Sequence, residues 1–258
     1  MADKKGIILL TNDDGIHSQG WKTFYRRLSE EWDVCVVVPE YEQSGKSVSI
    51  TLNEPLRVRR QDDTIFSTNG TPADCINLGV HLVLAGKTPD IIVSGINKGL
   101  NIGGDVLYSG TMGAAIEGSL LGILSVACSL EYKRGGEYAD FDKASVFTQD
   151  LLRHLVPRLP ADIRLLNLNL PFDAERYSLE NVRVTQLGRR SYKDLIMRRL
   201  DPRKRPYYWY SGEKIHWQAD EEADYTAIKQ GYVSLTPIKL LATDKGAKKA
   251  LHRCLRID

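Results

Sequence analysis

The chain has 258 residues, 42% of them hydrophobic and 26% charged, enough to bury the core of one large α/β domain. Its 35 Lys and Arg nearly balance 33 Asp and Glu, and a net charge of +2 excludes a general electrostatic attraction to nucleic acid or membrane. Four scattered cysteines without a C-x-x-C pair exclude a disulfide framework and suit reduced core residues.

Gly6-Ile7-Ile8-Leu9-Leu10 is an apolar run with no polar alternation, the pattern of a strand covered on both faces of a parallel sheet. Trp21, Phe24, Tyr25, Leu28 and Trp32 recur at helical spacing, and Asp33 to Val38 predicts a second buried strand stopped by Pro39. Strand, helix and strand require a crossover, hence a parallel pair. Tyr41 to Ser49 is a polar loop, and Ile50 to Ser67, with Leu56-Arg57-Val58-Arg59, suits a small hairpin or edge strand. Thr71 as N-cap, Pro72 at the first helical position and Asp74 at the capping-box site start a helix that runs to about Leu84 and ends at Gly86.

Asp90 to Ser94 predicts another buried strand, which feeds the glycine-rich loop Gly95 to Gly110. Thr111 to Leu121 is a helix of small residues that allow close packing on a sheet, and Ser125 to Leu130 is the next strand. A helix with Phe141, Val146, Phe147, Leu151, Leu152 and Leu155 precedes the strand Arg164 to Leu170. Beyond Asn181 the alternation is lost: strands at Val182 to Gln186 and Tyr232 to Leu235 flank a basic and aromatic arm, Arg189 to Trp217. Lys245 to Arg256 suits a short terminal helix. With no repeat or clear linker, the chain is expected to be one domain over 1–258, with the arm protruding at about 187–217.

Between Arg189 and Arg205, eight basic residues face only Asp194 and Asp201, a local +6 that leaves −4 for the rest. Arginines there would steer phosphorylated substrates while Tyr207, Tyr208 or Trp209 stack on a base; alternatively, an aromatic arm that cannot fold onto its own core is an oligomer contact, the preferred reading. Lys4 and Lys5 precede too short an apolar run for a signal peptide, and Gly118 to Leu130 is too short and too rich in Gly and Ser to span a bilayer. A cytoplasmic protein is expected, with no membrane partner and no specific nucleic acid.

Thr11-Asn12-Asp13-Asp14-Gly15 follows the first strand at once. Adjacent carboxylates at the exit of a buried strand are costly to desolvate without a cation, which points to a divalent metal ion. The pentapeptide also reads as an Asx-rich turn in which Asp14 caps the next helix. Gln43-Ser44-Gly45 and Gly95-Ile96-Asn97 leave two other parallel strands at the same sheet edge. Their oxygens suit Mg²⁺, Mn²⁺ or Ca²⁺ better than zinc, and a lone His17 is better read as a hydrogen-bonding residue than as a ligand. Ser109-Gly110-Thr111 opens a helix among small residues, where amides and hydroxyls would receive a phosphate; Ser109 or Thr111 would equally serve as a plain cap. Gly45-Lys46-Ser47 lacks the first glycine of a P-loop, no G-x-G-x-x-G or G-x-S-x-G occurs, and Asn12 stands where a phospho-aspartyl enzyme needs its nucleophile.

Taken with Gly70-Thr71-Pro72-Ala73-Asp74-Cys75, Asp105 through Thr111, Asp224-Tyr225-Thr226-Ala227-Ile228 and Gly231 through Pro237, these blocks resemble the SurE family of stationary-phase survival proteins, metal-dependent 5'/3'-nucleotidases. The resemblance implies a Rossmann-like α/β fold, mostly parallel and flanked by helices, with a C-terminal extended hairpin arm. It implies one divalent ion per subunit on Asp13, Asp14, Ser44 and Asn97, with Mg²⁺ or Mn²⁺ native and Ca²⁺ a substitute in crystals. It further implies hydrolysis of nucleoside monophosphates and of short polyphosphate, and a homodimer or homotetramer exchanging late segments, about 218–258. In the mechanism so implied, Ser109, Gly110 and Thr111 hold the phosphate and Asp13 or Asp14 accepts the water's proton. The alternative is a metal-dependent nucleotide or nucleic-acid binding module without turnover.

Overall fold

The structure is a computed structural model that describes residues 4–132, 140–193, 196–210, 214–241 and 243–255. The strand–helix alternation read from apolar runs is present: β1 (Ile7–Thr11), α1 (Gln19–Leu28), β2 (Asp33–Pro39), the hairpin β3 (Val58–Arg60) and β4 (Ile65–Thr68), α2 (Pro72–Leu78), β5 (Ile91–Lys98), α3 (Gly110–Leu120), β6 (Leu124–Leu130), α4 (Phe141–Leu155) and β7 (Leu165–Leu170). Strand β8 (Val182–Val184) leads to the arm strands β9 (Arg190–Lys193), β10 (Ile196–Leu200), β11 (Pro206–Tyr210) and β12 (Lys214–Trp217). The chain then forms α5 (Asp224–Lys229), β13 (Val233–Pro237) and α6 (Lys245–Cys254).

Nine strands form one sheet in the order β3-β4-β2-β1-β5-β6-β7-β13-β8. From β4 to β7 neighbouring strands are parallel; β3 on β4 and β13 on β7 are antiparallel. Ile8, Leu10, Val36, Val93 and Val126 pack under α1 and α4, whereas Leu9, Val37 and Ile92 pack under α2 and α3. Successive strand residues serve opposite faces, so an uninterrupted apolar run is what this three-layer arrangement demands. Small residues bring α3 close: a Cβ on Gly118 would lie 2.6 Å from Ile92 Cδ1.

Several boundaries differ from the sequence expectation. Helix α1 ends at Leu28, and Trp32 reaches the core from the turn behind it. The predicted second helix is α-helical only to Leu78 and finishes as a π turn, Gly79–Val83. Val146 sits off the buried stripe of α4, at 37% exposure. Strand β8 stops at Val184, and Gln186 makes only an isolated bridge to Ala223. Strand β5 runs four residues beyond Ser94, so Asn97 lies on strand rather than loop.

The arm is a long two-stranded ribbon, β9 pairing with β12 and β10 with β11. Tyr207, Tyr208, Trp209 and Tyr210 are exposed on it, and α6 has no buried residue. Asp194 of the arm's charge count lies outside the described residues. Cys35, Cys75 and Cys128 are buried free thiols, while Cys254 is exposed. Among the described residues no helix is long and apolar enough to cross a membrane.

The capping box at α2 is complete and does more than start a helix. Thr71 Oγ1 accepts from the Asp74 amide at 3.2 Å, and Asp74 Oδ2 accepts from the Thr71 amide at 2.9 Å. Asp74 also accepts from the Thr51 hydroxyl at 2.6 Å and the Thr51 amide at 3.1 Å, tying down the chain before the hairpin. Asp74→Ala should therefore lower stability in urea titrations by about 2–3 kcal/mol, and Thr71→Ala by about 1 kcal/mol. Equal, sub-0.5 kcal/mol effects (roughly the scatter of neutral surface changes) would show that this clamp contributes nothing.

Candidate active site at the sheet's carboxyl edge

From β1 the chain first builds the sheet toward β2 and β4, then returns to build toward β5, β6 and β7 on the other side. The carboxyl ends of β1 and β5 thus border the point where strand order reverses, the usual ligand crevice of open α/β sheets. The register pairs Thr11 with Ser94, so Asp13 and Asp14 leave β1 alongside the extension of β5 that carries Asn97.

Gly15 turns the chain at φ 85°, and a Cβ there would meet the Tyr41 carbonyl carbon at 2.9 Å. Buried Asn12 closes the turn by donating from Nδ2 to the Gly15 carbonyl at 3.1 Å. The following helix is capped by Ser18, whose hydroxyl oxygen accepts from the Gly20 amide at 3.3 Å. Asp14 therefore is not the cap: the turn at Gly15 separates it from the helix and leaves its carboxylate at the crevice.

Asp13 is 4% exposed. Thr111 Oγ1 donates to its Oδ1 at 2.6 Å, and the Gln43 amide donates to the Asp13 carbonyl at 2.7 Å. Burial pushes the Asp13 pKa up despite those bonds. Asp14, half-buried, is pushed up to about 6, by burial first and then by the Asp13 charge, with the Lys98 amide acting in the opposite sense. Among the described residues Asp14 Oδ2, which is buried, has no hydrogen-bond partner. Two carboxylates raised in this way form an electrostatically incomplete pair that a cation would complete.

Ser44 lies exposed on the loop after β2, donating to Glu42 Oε1 at 2.9 Å. Glu42 also raises both aspartates and was not evident from motif reading. Ser47 staples this loop to the glycine-rich one, its amide donating to the Tyr108 carbonyl at 3.0 Å and its hydroxyl to the Leu107 carbonyl at 2.7 Å. Gly113 permits that approach, since a Cβ would lie 2.0 Å from the Ser47 carbonyl oxygen. Asn97 donates from Nδ2 to the Gly99 carbonyl at 2.7 Å, leaving its amide oxygen as an acceptor.

Ser109 caps α3 by accepting from the Met112 amide at 3.1 Å, and its hydroxyl proton stays available to a ligand. The Thr111 proton instead goes to Asp13. The phosphate-ready helix start and the aspartates are thus one connected unit. His17 is exposed. Among the described residues no group of three or more His, Cys, Asp and Glu gathers for a metal, so an ion here must draw on hydroxyl and amide oxygens as well. The resulting all-oxygen set suits a hard divalent ion.

Residues 8–194 match the family model described as Survival protein SurE. The chain is 42% identical to the 5'-nucleotidase SurE of Caldanaerobacter subterraneus subsp. tengcongensis, covering 96% of both chains. It is 39% identical to that of Vibrio vulnificus strain CMCP6 over 99% of both. Among solved structures, the SurE protein from Aquifex aeolicus superposes with a TM-score of 0.82 at 36% identity, covering 96% of this chain and 99% of the other.

Gly110 touches Asp13 so closely that an added Cβ would lie 2.8 Å from the Asp13 Cβ and 3.0 Å from Oδ2. Gly110→Ala should fold yet displace that carboxylate, weakening Mn²⁺ binding measured by calorimetry about ten- to hundredfold. Gly104→Ala, whose Cβ would meet nothing within 4 Å, should bind Mn²⁺ as the unsubstituted protein does; equal affinities for both variants would contradict the assignment.

Proposed function

The chain belongs to the SurE family, and on that premise we propose that it is a metal-dependent phosphohydrolase that removes phosphate from nucleoside 5'- and 3'-monophosphates, with short polyphosphate as a further substrate. The observation that carries this reading is the desolvated Asp13–Asp14 pair at the switch-point crevice, with Asp14 Oδ2 buried and without a hydrogen-bond partner among the described residues. Asp13, Asp14, Ser44 and Asn97 hold one divalent ion, Mg²⁺ or Mn²⁺ in working enzyme, with Ca²⁺ able to substitute.

Bound there, the ion supplies charge neutralisation for the phosphate and a water of lowered pKa. The protein's own residues do the rest. The Ser109 hydroxyl and the first-turn amides of α3 at Gly110 and Thr111 face the non-bridging oxygens, with the helix dipole assisting. Thr111 orients Asp13, and the coupled pair of aspartates accepts the proton of the attacking water. Asn12 stands where a covalent phospho-aspartate would require a carboxylate, which favours direct attack by water.

Assembly as a homodimer or homotetramer through the arm and the last segment is the companion proposal. Exposed Tyr207 to Tyr210 and the wholly unburied α6 support it, because a two-stranded ribbon is marginal without cover. Buried free thiols suit a reducing compartment, in keeping with a cytoplasmic enzyme.

Phosphate release from AMP with Mg²⁺ or Mn²⁺ should be abolished by EDTA, and Asp13→Asn should cost at least the about hundredfold that even outer-shell partners command. Tight AMP binding without release would establish the binding-module alternative instead. Replacing residues 190–217 with a short Gly-Ser linker should reduce the solution mass measured by light scattering to that of a smaller assembly. Lost turnover at unchanged mass would assign the arm to substrate binding.

A further inference from the structure

The site described so far uses the two ends of the glycine-rich loop: Asn97 before it and Ser109 to Thr111 after it. What fixes the middle lies far down the chain. At Asn101 the sheet does so: the Asn101 amide donates to Asn169 Oδ1 at 2.9 Å, its Nδ2 donates to Ser129 Oγ at 2.8 Å, and its carbonyl accepts from Asn167 Nδ2 at 2.8 Å and Asn169 Nδ2 at 3.1 Å. At Gly103 the holder is Asp224, the first residue of α5 and 0% exposed.

Asp224 Oδ2 accepts from the Gly103 amide at 2.7 Å. Its Oδ1 accepts from the Gly188 amide at 2.9 Å and from its own neighbour, the Tyr225 amide, at 2.8 Å. Gly188 is the root of the arm, where the chain enters β9. Trp217, the last residue of the arm's return strand, closes over this junction: its indole stacks on Tyr225 at 4.2 Å and 7°, and a Cβ on Gly103 would lie 3.0 Å from its Cζ3. Gly103 itself, at φ 53°, would bring a Cβ within 2.5 Å of the Gly188 carbonyl oxygen.

Three backbone N–H donors converge on one buried side chain, and only a carboxylate accepts all three; an amide would set its NH₂ against at least one of them. We infer that Asp224 is a positioning residue for the reaction: it pins the middle of the glycine-rich loop to the root of the arm and thereby sets where Asn97 and the Ser109–Thr111 helix start stand relative to Asp13 and Asp14. The inference rests on the phosphohydrolase reading for its kinetic part, while the clamp itself is a property of the fold.

Asp224→Asn and Gly103→Ala break the same junction from opposite sides, and Gly104→Ala is the control. With full-length Mn²⁺-loaded protein, assayed well below each variant's Tm, the first two should lower kcat on AMP about tenfold or more, the scale of ångström misplacements, and weaken inhibition by inorganic phosphate. In hydrogen-exchange mass spectrometry, peptides over 100–109 should exchange faster while those over β1 stay protected, and the control should match the unsubstituted protein in every readout. Variants with a lower Tm but with kcat, phosphate inhibition and loop exchange unchanged would overturn the inference, reducing Asp224 to a stabilising residue. Should the unsubstituted protein release no phosphate, the enzymatic reading fails, and loop exchange alone decides the clamp.

Discussion

The carboxylate of Asp13 is buried between the end of β1 and the start of α3, where the Thr111 hydroxyl holds it and Gly110 packs against it. A helix N-terminus, with its aligned N–H dipoles, offsets part of the cost of burying a charge there. That requirement dictates much around it. Helix α3 must begin with a residue lacking a side chain, must reach the sheet closely enough for its first turn to meet β1, and so carries Ala114, Ala115 and Gly118 where a larger residue would hold it off. Asp14 shares the burial with only Lys98 acting in its favour, so the local electrostatics favour a cation beside the pair.

The loops that close the site solve a second problem, the backbone polar groups of a glycine-rich segment whose regular structure beyond β5 is one short 3-10 turn, Gly103–Leu107. Beyond the Gly99 amide, which donates to the Leu130 carbonyl of β6, their partners include buried side chains, Asn167 and Asn169 from β7, Ser129 from β6 and Asp224 from α5, and the half-buried Ser47 from the loop after β2. Each contact is an acceptor or donor delivered by a different element, so the loop is over-determined from several directions. Asn-Leu-Asn within an otherwise apolar strand is the cost of this arrangement to the core, and full burial without these partners would be strongly unfavourable.

Strand and helix identities through Leu170 were legible because both signals were local: apolar runs for doubly covered strands, 3.6-residue spacing for α1 and α4, and a complete capping box for α2. The places of Asp13 and Asp14 after β1, of Ser44 after β2 and of Asn97 near the end of β5, all toward the carboxyl edge of parallel strands, were legible from the strand order. What could not be read was side-chain commitment. The Thr111 hydroxyl looks like a ligand donor in sequence and is instead bonded to Asp13, across a separation of 98 positions. Asp224 stands in a quoted motif without an evident task, since its partners Gly103 and Gly188 lie in two other segments. The extension of β5 through Asn97 was hidden by Gly95, which reads as a strand breaker but here lets the chain approach the Cys128 carbonyl, 2.3 Å from where a Cβ would sit.

The arm follows different physics from the rest. Its two ribbon segments carry large aromatic side chains in the open, with Trp209 63% and Tyr210 80% exposed, and isolated two-strand ribbons do not hold such surfaces in water by themselves. Order therefore has to enter from the root, where Gly188, Trp217 and Asp224 join the ribbon to the glycine-rich loop. The part of the chain with the least core of its own is thus anchored on the glycine-rich loop, through a buried acid on a helix of only six residues, α5, that accepts from the Gly103, Gly188 and Tyr225 amides where an apolar side chain would leave those donors unpaired.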